Sequence, residues 1–231
     1  MDKMINFLEN LSGKFFAIIK QLLMVLLYFI LVVSIQISFR SDLTNSNFLI
    51  ANLSNIFAEL LVLLCFIFIF RKKVVPDFND FKINGKQYIK QSFVYWFLSL
   101  IVMIISNLII SNMIGMSTNE QANQNLLSSM PIYAFAAMVI IAPITEELLT
   151  RIILKDKFNN IYIYSILSGL IFGGLHLLAV NSLAEIWYII PYGVLGFAFA
   201  LMYNKTNNIW TSITFHSLHN LTALLLVFIG A

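Results

Sequence analysis

Charged residues are scarce in this chain. Asp, Glu, Lys and Arg together make up 11% of its 231 residues, whereas soluble domains average about 25%. Hydrophobic residues make up 60%, and the mean hydropathy is +0.87. This composition excludes a water-soluble globular domain. Apolar stretches of roughly 20 residues, long enough to cross a bilayer, recur along most of the length, so we expect an all-α, polytopic membrane protein.

Cysteine is nearly absent, because Cys65 is the only one and it lies in an apolar run. A disulfide framework and a cysteine-based metal site are therefore excluded. The net charge is +3, but the basic residues are spread over the predicted loops instead of being gathered on one soluble face. The charge pattern thus indicates orientation in a membrane, with the lipid bilayer as a partner and no nucleic acid.

Uncharged apolar windows predict about seven transmembrane helices. We expect three amino-terminal helices with their loops in residues 1–130 and a catalytic core of four helices in residues 131–231. The composition of 71–90 predicts a solvated connector with turns, and that of 115–130 predicts a flexible polar loop. The seven windows lie at residues 17–38, 48–70, 90–113, 131–149, 161–179, 185–203 and 208–229.

Lysine and arginine mark the cytoplasmic side of a membrane protein. If the amino terminus is inside, every Lys and Arg except Arg40 falls on the inner side of these spans. The long outer segment 115–130 contains neither residue type. We therefore expect a multi-pass protein of the cell membrane with a cytoplasmic amino terminus and an extracellular carboxy terminus.

Ionisable side chains inside a membrane cost at least about 2.5 to 3.5 kcal/mol each on insertion scales, so they are candidates for function. Three polar clusters occur in the predicted core, each on a different span, and together they hold all three histidines of the chain. The fourth span ends with Glu146, Glu147 and Arg151, the fifth contains Phe172 and His176, and the seventh contains His216, His219 and Asn220.

Helical spacing separates the two adjacent glutamates. Glu147 and Arg151 are four residues apart, so they can form an ion pair on one helix face. Glu146 lies about 100° further around the helix and can point into the bundle. His216 and Asn220 are also four residues apart and project together. Each feature alone has a structural interpretation, as an ion pair or an interhelical hydrogen bond, but their combination in a chain with so few charges indicates a functional site.

A carboxylate, two imidazoles and a carboxamide that meet in one low-dielectric cavity are suited to peptide-bond hydrolysis. Glu146 can remove a proton from a water molecule that His176 helps to orient. His216 and the Asn220 amide can donate hydrogen bonds to the oxyanion that develops on the scissile carbonyl. This chemistry needs no covalent intermediate.

The same residues resemble the CAAX-protease and bacteriocin-processing family of intramembrane endopeptidases, also called the Abi family. The family motifs are Glu-Glu-x-x-x-Arg, Phe-x-x-x-His and His-x-x-x-Asn or Asp on successive membrane helices. The resemblance covers residues 131–231, and it extends to residues 1–130 only as preceding helices. The motifs are matched in order by Glu146, Glu147 and Arg151, by Phe172 and His176, and by His216 and Asn220.

The resemblance implies a glutamate-dependent protease in which Glu146 and His176 activate water. His216 and Asn220 would form the oxyanion site, in agreement with the argument from spacing. His219 lies outside the pattern, as a packing residue or a modulator. No metal or other cofactor is implied, and the substrate would be a peptide or a membrane protein of open identity. The oligomeric state is equally open. The motif members of mainly structural importance are Glu147, Arg151 and Phe172.

Straight spans would leave His176 and Glu146 at different depths in the membrane. Counting residues separates them by about 10 to 15 Å at 1.5 Å per residue. Two arrangements would bring them together. Either the loop at Asn181 dips into the membrane, or the fourth span continues past Arg151 and the fifth span starts deep. The sequence favours neither.

Three other functions compete with metal-free proteolysis. A zinc-dependent membrane protease would bind its metal through two histidines and a glutamate, but the chain has no His-Glu-x-x-His motif and Asn is a poor zinc ligand. A bacteriocin self-immunity factor or a regulatory membrane protein of the same fold would act by binding a peptide. A transporter would use Glu59, with Asn52 and Asn55 on the same face of the second span.

Overall fold

The computed structural model describes residues 45–155, 158–178 and 180–230, except for the side chains of residues 45–52, 54, 229 and 230. Within these ranges all regular structure is helical, which confirms the all-α class for this part of the chain. The predicted span 17–38 lies outside the described residues. The helices are α1 (Asn45–Ile114), α2 (Thr118–Ser129), α3 (Pro131–Lys155), α4 (Ile161–Leu175), α5 (Ile189–Thr206) and α6 (Ile209–Gly230).

Three helical segments in the described part are long and apolar enough to cross a membrane, and α4 is a shorter apolar helix. The three segments are Asn55–Ile114, Pro131–Lys155 and Leu183–Thr206, the last of which joins a 3₁₀ turn to α5. Large apolar side chains on α1 face outward, with Phe57, Leu64 and Phe68 between 63% and 69% exposed. The chain is therefore a membrane protein, while the number of seven spans stays a prediction.

The prediction of turns at 71–90 is wrong, because α1 is helical through this stretch, although many of its residues are exposed. Its residues dock on the start of α6. The Trp210 Nε1–H donates to the carbonyl of Val74 at 3.0 Å, and the Asp77 carboxylate accepts a hydrogen bond from the Ile209 N–H at 2.8 Å. A carboxylate at a helix amino terminus is a favourable cap. Tertiary contacts of this kind override the turn preference of the local sequence.

Helix α1 is bent. Trp96 packs on Phe215 with ring centroids 6.0 Å apart, and Asp77 bonds to Ile209. The two contacts on α6 are about 9 Å apart along its axis, whereas a straight α1 would separate Asp77 from Trp96 by about 28 Å. The stretch between them must therefore turn back across this end of the bundle. The remainder of α1 runs antiparallel to α5. It brings α2 close to the start of α5, where the Tyr188 hydroxyl donates to the carbonyl of Gly115.

The flexible polar loop predicted at 115–130 is also wrong, because Thr118–Ser129 forms α2. The side chain of Ser117 caps this helix by accepting a hydrogen bond from the Glu120 N–H. The Glu185 carboxylate then accepts hydrogen bonds from both the backbone N–H and the hydroxyl of Thr118, at 2.7 and 2.8 Å. The cap and this long-range contact convert a polar segment into a docked helix.

Helix α3 contains two π-helical turns, Ala137–Ile141 and Leu148–Ile152, on either side of the regular turn that carries the two glutamates. Pro143 lies just beyond the first wide turn and has no N–H to donate to the preceding turn. Wide turns of this type are frequent at functional sites. The side chains of this helix are largely buried in the bundle.

Helices α4 and α5 approach each other backbone to backbone at glycines. A Cβ atom at Gly169 would lie 2.6 Å from the carbonyl oxygen of Gly193, and one at Gly173 would lie 3.1 Å from the Gly193 nitrogen. One at Gly196 would lie 2.7 Å from the Cβ of Phe172. Small residues allow this approach in membrane helices. Gly174 takes no part in this approach, since nothing lies within 4 Å of a Cβ atom added there.

Candidate active site

A cavity of about 480 Å³ opens between α1, α2, α3, the end of α4, α5 and α6. It gathers side chains from the three polar clusters of the sequence. All four predicted catalytic residues line it, and His219 does so as well. The predicted cavity residues Glu146, His176, His216 and Asn220 are therefore brought together from three helices.

The Glu146 carboxylate faces two imidazoles. Its Oε2 lies 3.9 Å from the His176 Nε2 and 3.8 Å from the His216 Nε2. Both separations are too long for a direct hydrogen bond. They are short enough for one water molecule to bridge the groups, and bridging water serves almost as well as direct contact.

His176 lies beside Glu146 although the two residues belong to different helices. Helix α3 continues past Arg151 to Lys155, and α4 then runs over Ile161–Leu175, so that His176 follows its last residue. The extension of α3 past Arg151 is one part of the second arrangement considered for the sequence. The His176 Nδ1 lies 2.9 Å from the carbonyl of Phe172. A carbonyl only accepts, so Nδ1 carries hydrogen and Nε2 is the atom presented to Glu146.

The predicted ion pair between Glu147 and Arg151 is present and entirely buried, with both side chains 0% exposed. The guanidinium binds the carboxylate through two atoms, with Nε to Oε2 at 2.8 Å and Nη2 to Oε1 at 3.0 Å. Its Nη1 also donates to the hydroxyl of Ser168 on α4. Two-point binding and the extra donor are what a buried charge pair needs.

His216 is held by the same ion pair. Its Nδ1 lies 3.1 Å from the Glu147 Oε1, and because Glu147 is the ion-paired carboxylate, the imidazole donates through Nδ1. The ring stacks on Phe199 at 4.9 Å between centroids. The Nε2 therefore points toward Glu146 and the cavity in a fixed orientation.

Phe172 lies at the centre of the three motifs. Its ring centroid is 4.7 Å from that of His176 and 5.3 Å from that of His216, and the Arg151 guanidinium carbon lies 5.3 Å from its centroid. The side chain is buried. Phe172 therefore packs against both imidazoles and also lines the cavity.

Asn220 is anchored on α3. Its Nδ2 donates to the carbonyl of Met138 at 2.7 Å, inside the first π-helical turn. Asn220 also lines the cavity. His219 is buried at the same cavity, although it lies outside the motif pattern. Glu59 packs beside Tyr133, away from the residues that line this cavity.

Two groups in the cavity wall are not predicted by the sequence motifs. The Tyr192 ring stacks on the His176 imidazole with centroids 4.5 Å apart. Four polar residues of α2 form another part of the wall. The sequence carried one signal for them, since Ser117 and Glu120 have the spacing of a helix-capping box. Tyr192 has no such signal within its apolar span. The four α2 residues are Asn119, Glu120, Asn123 and Gln124.

Across the part of the chain that the structure describes, no group of three or more His, Cys, Asp or Glu side chains is arranged to hold a metal ion. A chelator experiment tests the zinc-dependent alternative.

The fold and the cavity define a class of protein, an all-helical membrane protein with a buried site of glutamate, histidine and asparagine side chains. Comparison with known families narrows the class. Residues 128–222 match the family model described as type II CAAX prenyl endopeptidase Rce1-like. This segment contains every motif residue, so the resemblance to the CAAX-protease family is confirmed over this part of the chain.

Two curated bacterial proteins are similar to the chain. One, named "Putative membrane peptidase YdiL", is from Bacillus subtilis (strain 168) and is 28% identical over 107 residues. The other, named UPF0177 protein YxdF, is from Lactococcus lactis subsp. lactis (strain IL1403) and is 29% identical over 121 residues. The alignments cover 45% and 52% of this chain, and 41% and 63% of the two relatives. No solved structure matches the chain significantly.

Proposed function

We propose that this protein is a membrane-embedded endopeptidase that hydrolyses a peptide bond with water activated by Glu146 and His176. The observation that carries the proposal is the position of the Glu146 Oε2, within 3.9 Å of two imidazole nitrogens in one cavity. The match to a CAAX prenyl endopeptidase family supports a membrane peptidase of this type.

The first step is attack by water. A water molecule between Glu146 and the His176 Nε2 loses a proton to the carboxylate as its oxygen bonds to the scissile carbonyl carbon. His176 orients the water through its Nε2, because the Phe172 carbonyl occupies its Nδ1–H. The protonated Glu146 then gives the proton to the leaving nitrogen as the C–N bond breaks. The products are a carboxyl group and an amine, so one carboxylate serves both proton transfers.

The developing oxyanion is stabilised by His216 and Asn220. The Nδ1–H of His216 donates to Glu147, so a hydrogen bond from Nε2 to the oxyanion requires the positively charged imidazolium. Asn220 supplies its second N–H, while the first is fixed on Met138. Donors that are already oriented when the charge appears are an effective source of rate enhancement.

The substrate class that fits is a peptide or a membrane-associated protein. The family description names a prenyl endopeptidase, and the name of the Bacillus relative is that of a membrane peptidase. Because the alignments span less than two thirds of both relatives, the activity rests on the cavity as well as on these names. A self-immunity or regulatory protein of the same fold would keep the cavity and bind a peptide without cleaving it.

The test compares Glu146→Gln with the unchanged protein in proteoliposomes, using a mixture of synthetic peptides and mass spectrometry of the products. We expect cleavage to fall by about 10² to 10⁴-fold, the usual contribution of a general base. Glu59→Gln is the matched control, since it removes another buried membrane carboxylate that does not line the cavity. It should leave cleavage unchanged.

A chelator is added in parallel to the unchanged protein. Metal-free catalysis predicts no loss of cleavage, and loss would favour the zinc-dependent alternative. If Glu146→Gln keeps the full biological activity of the protein, the proposal is wrong and a binding or immunity role is favoured. If the unchanged protein moves a solute across the proteoliposome membrane and Glu59→Gln abolishes this movement, a transporter function is favoured.

A further inference from the structure

One face of α2 forms a polar wall of the cavity. It presents three side-chain amides and one carboxylate to the space that also holds Glu146 and His176. Amides can pair with both the N–H and the C=O groups of a peptide backbone. The wall is therefore suited to an extended polypeptide. Its members are Asn119, Glu120, Asn123 and Gln124.

The carboxylate in this wall has a neutral partner. The Glu120 Oε1 accepts a hydrogen bond from the Gln124 Nε2 at 3.0 Å, and no ion pair among the described residues includes Glu120. No Lys or Arg lines the cavity. Burial raises the pKa of Glu120, while the Gln124 hydrogen bond acts in the opposite direction. A half-buried carboxylate without a cation favours a ligand that supplies one.

The wall is fixed in position relative to the proposed catalytic residues. Thr118 binds the Glu185 carboxylate at its backbone and its hydroxyl, and the Asn181 N–H donates to the same carboxylate at 3.1 Å. The Tyr192 hydroxyl contacts Ser117 and Asn119, while its ring stacks on His176. One tyrosine therefore joins the start of α2 to the histidine that orients water.

We propose that Glu120 is a specificity-determining residue that selects peptides with a cationic group near the scissile bond. This inference rests on the proposed function, because it assigns the substrate class of the same cavity. The cationic group is the side chain of a Lys or Arg or a free amino terminus, both of which offer N–H donors to a carboxylate. The three amides of the wall hold the adjacent backbone.

The test uses the cleavage products of the peptide mixture to choose one cleaved sequence. Four versions of it are synthesised. Three carry Lys, norleucine or Glu at a residue next to the scissile bond. The fourth is the Lys version with an acetylated amino terminus. We expect kcat/KM for Lys to exceed that for norleucine by about tenfold, equivalent to about 1.4 kcal/mol. The Glu version should be cleaved most slowly. Acetylation distinguishes a side-chain cation from an amino-terminal one.

Two variants make the assignment specific. Glu120→Gln should abolish the preference for Lys, and Asn125→Lys should keep it. Both raise the charge of α2 by one unit, but Asn125 is exposed and does not line the cavity. Thermal unfolding of both variants shows whether the fold is retained. A Lys preference that survives in Glu120→Gln, or is absent from the unchanged protein, overturns the inference while cleavage itself upholds the proposed function.

A binding measurement keeps the inference testable if the unchanged protein cleaves nothing, the result that would contradict the proposed function. Fluorescent Lys and norleucine peptides are then titrated onto the protein with and without Glu120→Gln. Tighter binding of the Lys peptide, by about tenfold and only with Glu120 present, supports the cation site. Equal binding of the two peptides overturns it.

Discussion

The two adjacent glutamates of α3 lie in opposite surroundings. Glu147 is wholly buried and is bound by Arg151 and His216, so its charge is matched by fixed neighbours. Glu146 is turned toward a cavity, and its nearest imidazole nitrogens are 3.8 and 3.9 Å away. The difference shows how one step around a helix divides two carboxylates of the same type. One is ion-paired inside the bundle, and the other lines the cavity.

The same division extends beyond α3. On the Glu147 side, Ser168 and Phe172 of α4 close around the guanidinium. On the Glu146 side, α2 and Tyr192 contribute polar groups to the cavity walls. The first region resembles a protein core with charges matched inside it, whereas the second contains polar groups that have room for a ligand. Variants on each side should therefore affect different properties.

The largest effect is expected from Arg151→Met. It leaves the Glu147 carboxylate buried without its guanidinium, which costs about 3 to 5 kcal/mol when one partner of a buried pair is removed. The measurement is unfolding of the purified protein in mixed micelles. Arg71→Met serves as the control, because Arg71 is exposed on α1 and bonds only to its own helix. Equal stability of the two variants would contradict the contrast between the two glutamates.

A smaller effect is expected from Gly169→Ala. Its Cβ would lie 2.6 Å from the Gly193 oxygen and 2.9 Å from the Phe197 nitrogen, so α4 and α5 must separate. Overpacking of this kind costs about 1 to 3 kcal/mol. Activity should fall with stability, because the end of α4 carries His176. Gly174→Ala is the matched control and should be close to neutral, since nothing lies within 4 Å of the added atom. The reverse ranking would refute the close contact.

The smallest effect is expected from Tyr192→Phe. It keeps the ring on His176 but removes the hydroxyl contacts to Ser117 and Asn119, at 3.1 and 3.3 Å. The loss should be about 0.5 to 1.5 kcal/mol, the net value of a typical hydrogen bond. Hydrogen exchange of α2 measures it locally, with α4 as internal reference. Tyr162→Phe, at a tyrosine 65% exposed, should change nothing. Unaltered exchange in α2 of the Tyr192 variant would show that this hydroxyl does not secure the wall.

The spacing of the motifs predicted much of the cavity because helical periodicity is a local property. Four-residue spacing placed Glu147 with Arg151, and the ion pair is present. It also placed His216 and Asn220 on one face, and both line the cavity. The catalytic roles assigned to these residues stay predictions, to be decided by the variants.

The errors lie where contacts join residues far apart in sequence. The stretch around Asp77 reads as turns and solvent, but its carboxylate caps α6. The α2 segment reads as a flexible loop, although Ser117 and Glu120 have capping-box spacing, and its docking depends on Glu185. Such partners are not specified by local composition. The approach of His176 to Glu146 likewise joins two separate helices, and periodicity alone left it open.

The wide turns of α3 imply that the active geometry is a property of the assembled bundle. Their carbonyls at Met138, Thr150 and Arg151 accept hydrogen bonds from side chains of α6 and α4, namely Asn220, Ser168 and Tyr164. A nascent α3 alone in lipid would lack these donors and should relax to a regular helix, since hydrocarbon offers no substitute partner. The Glu146 and Glu147 side chains would then be rotated away from their positions in the assembled bundle. On the proposed function, newly inserted chains should consequently be inactive until the later helices associate.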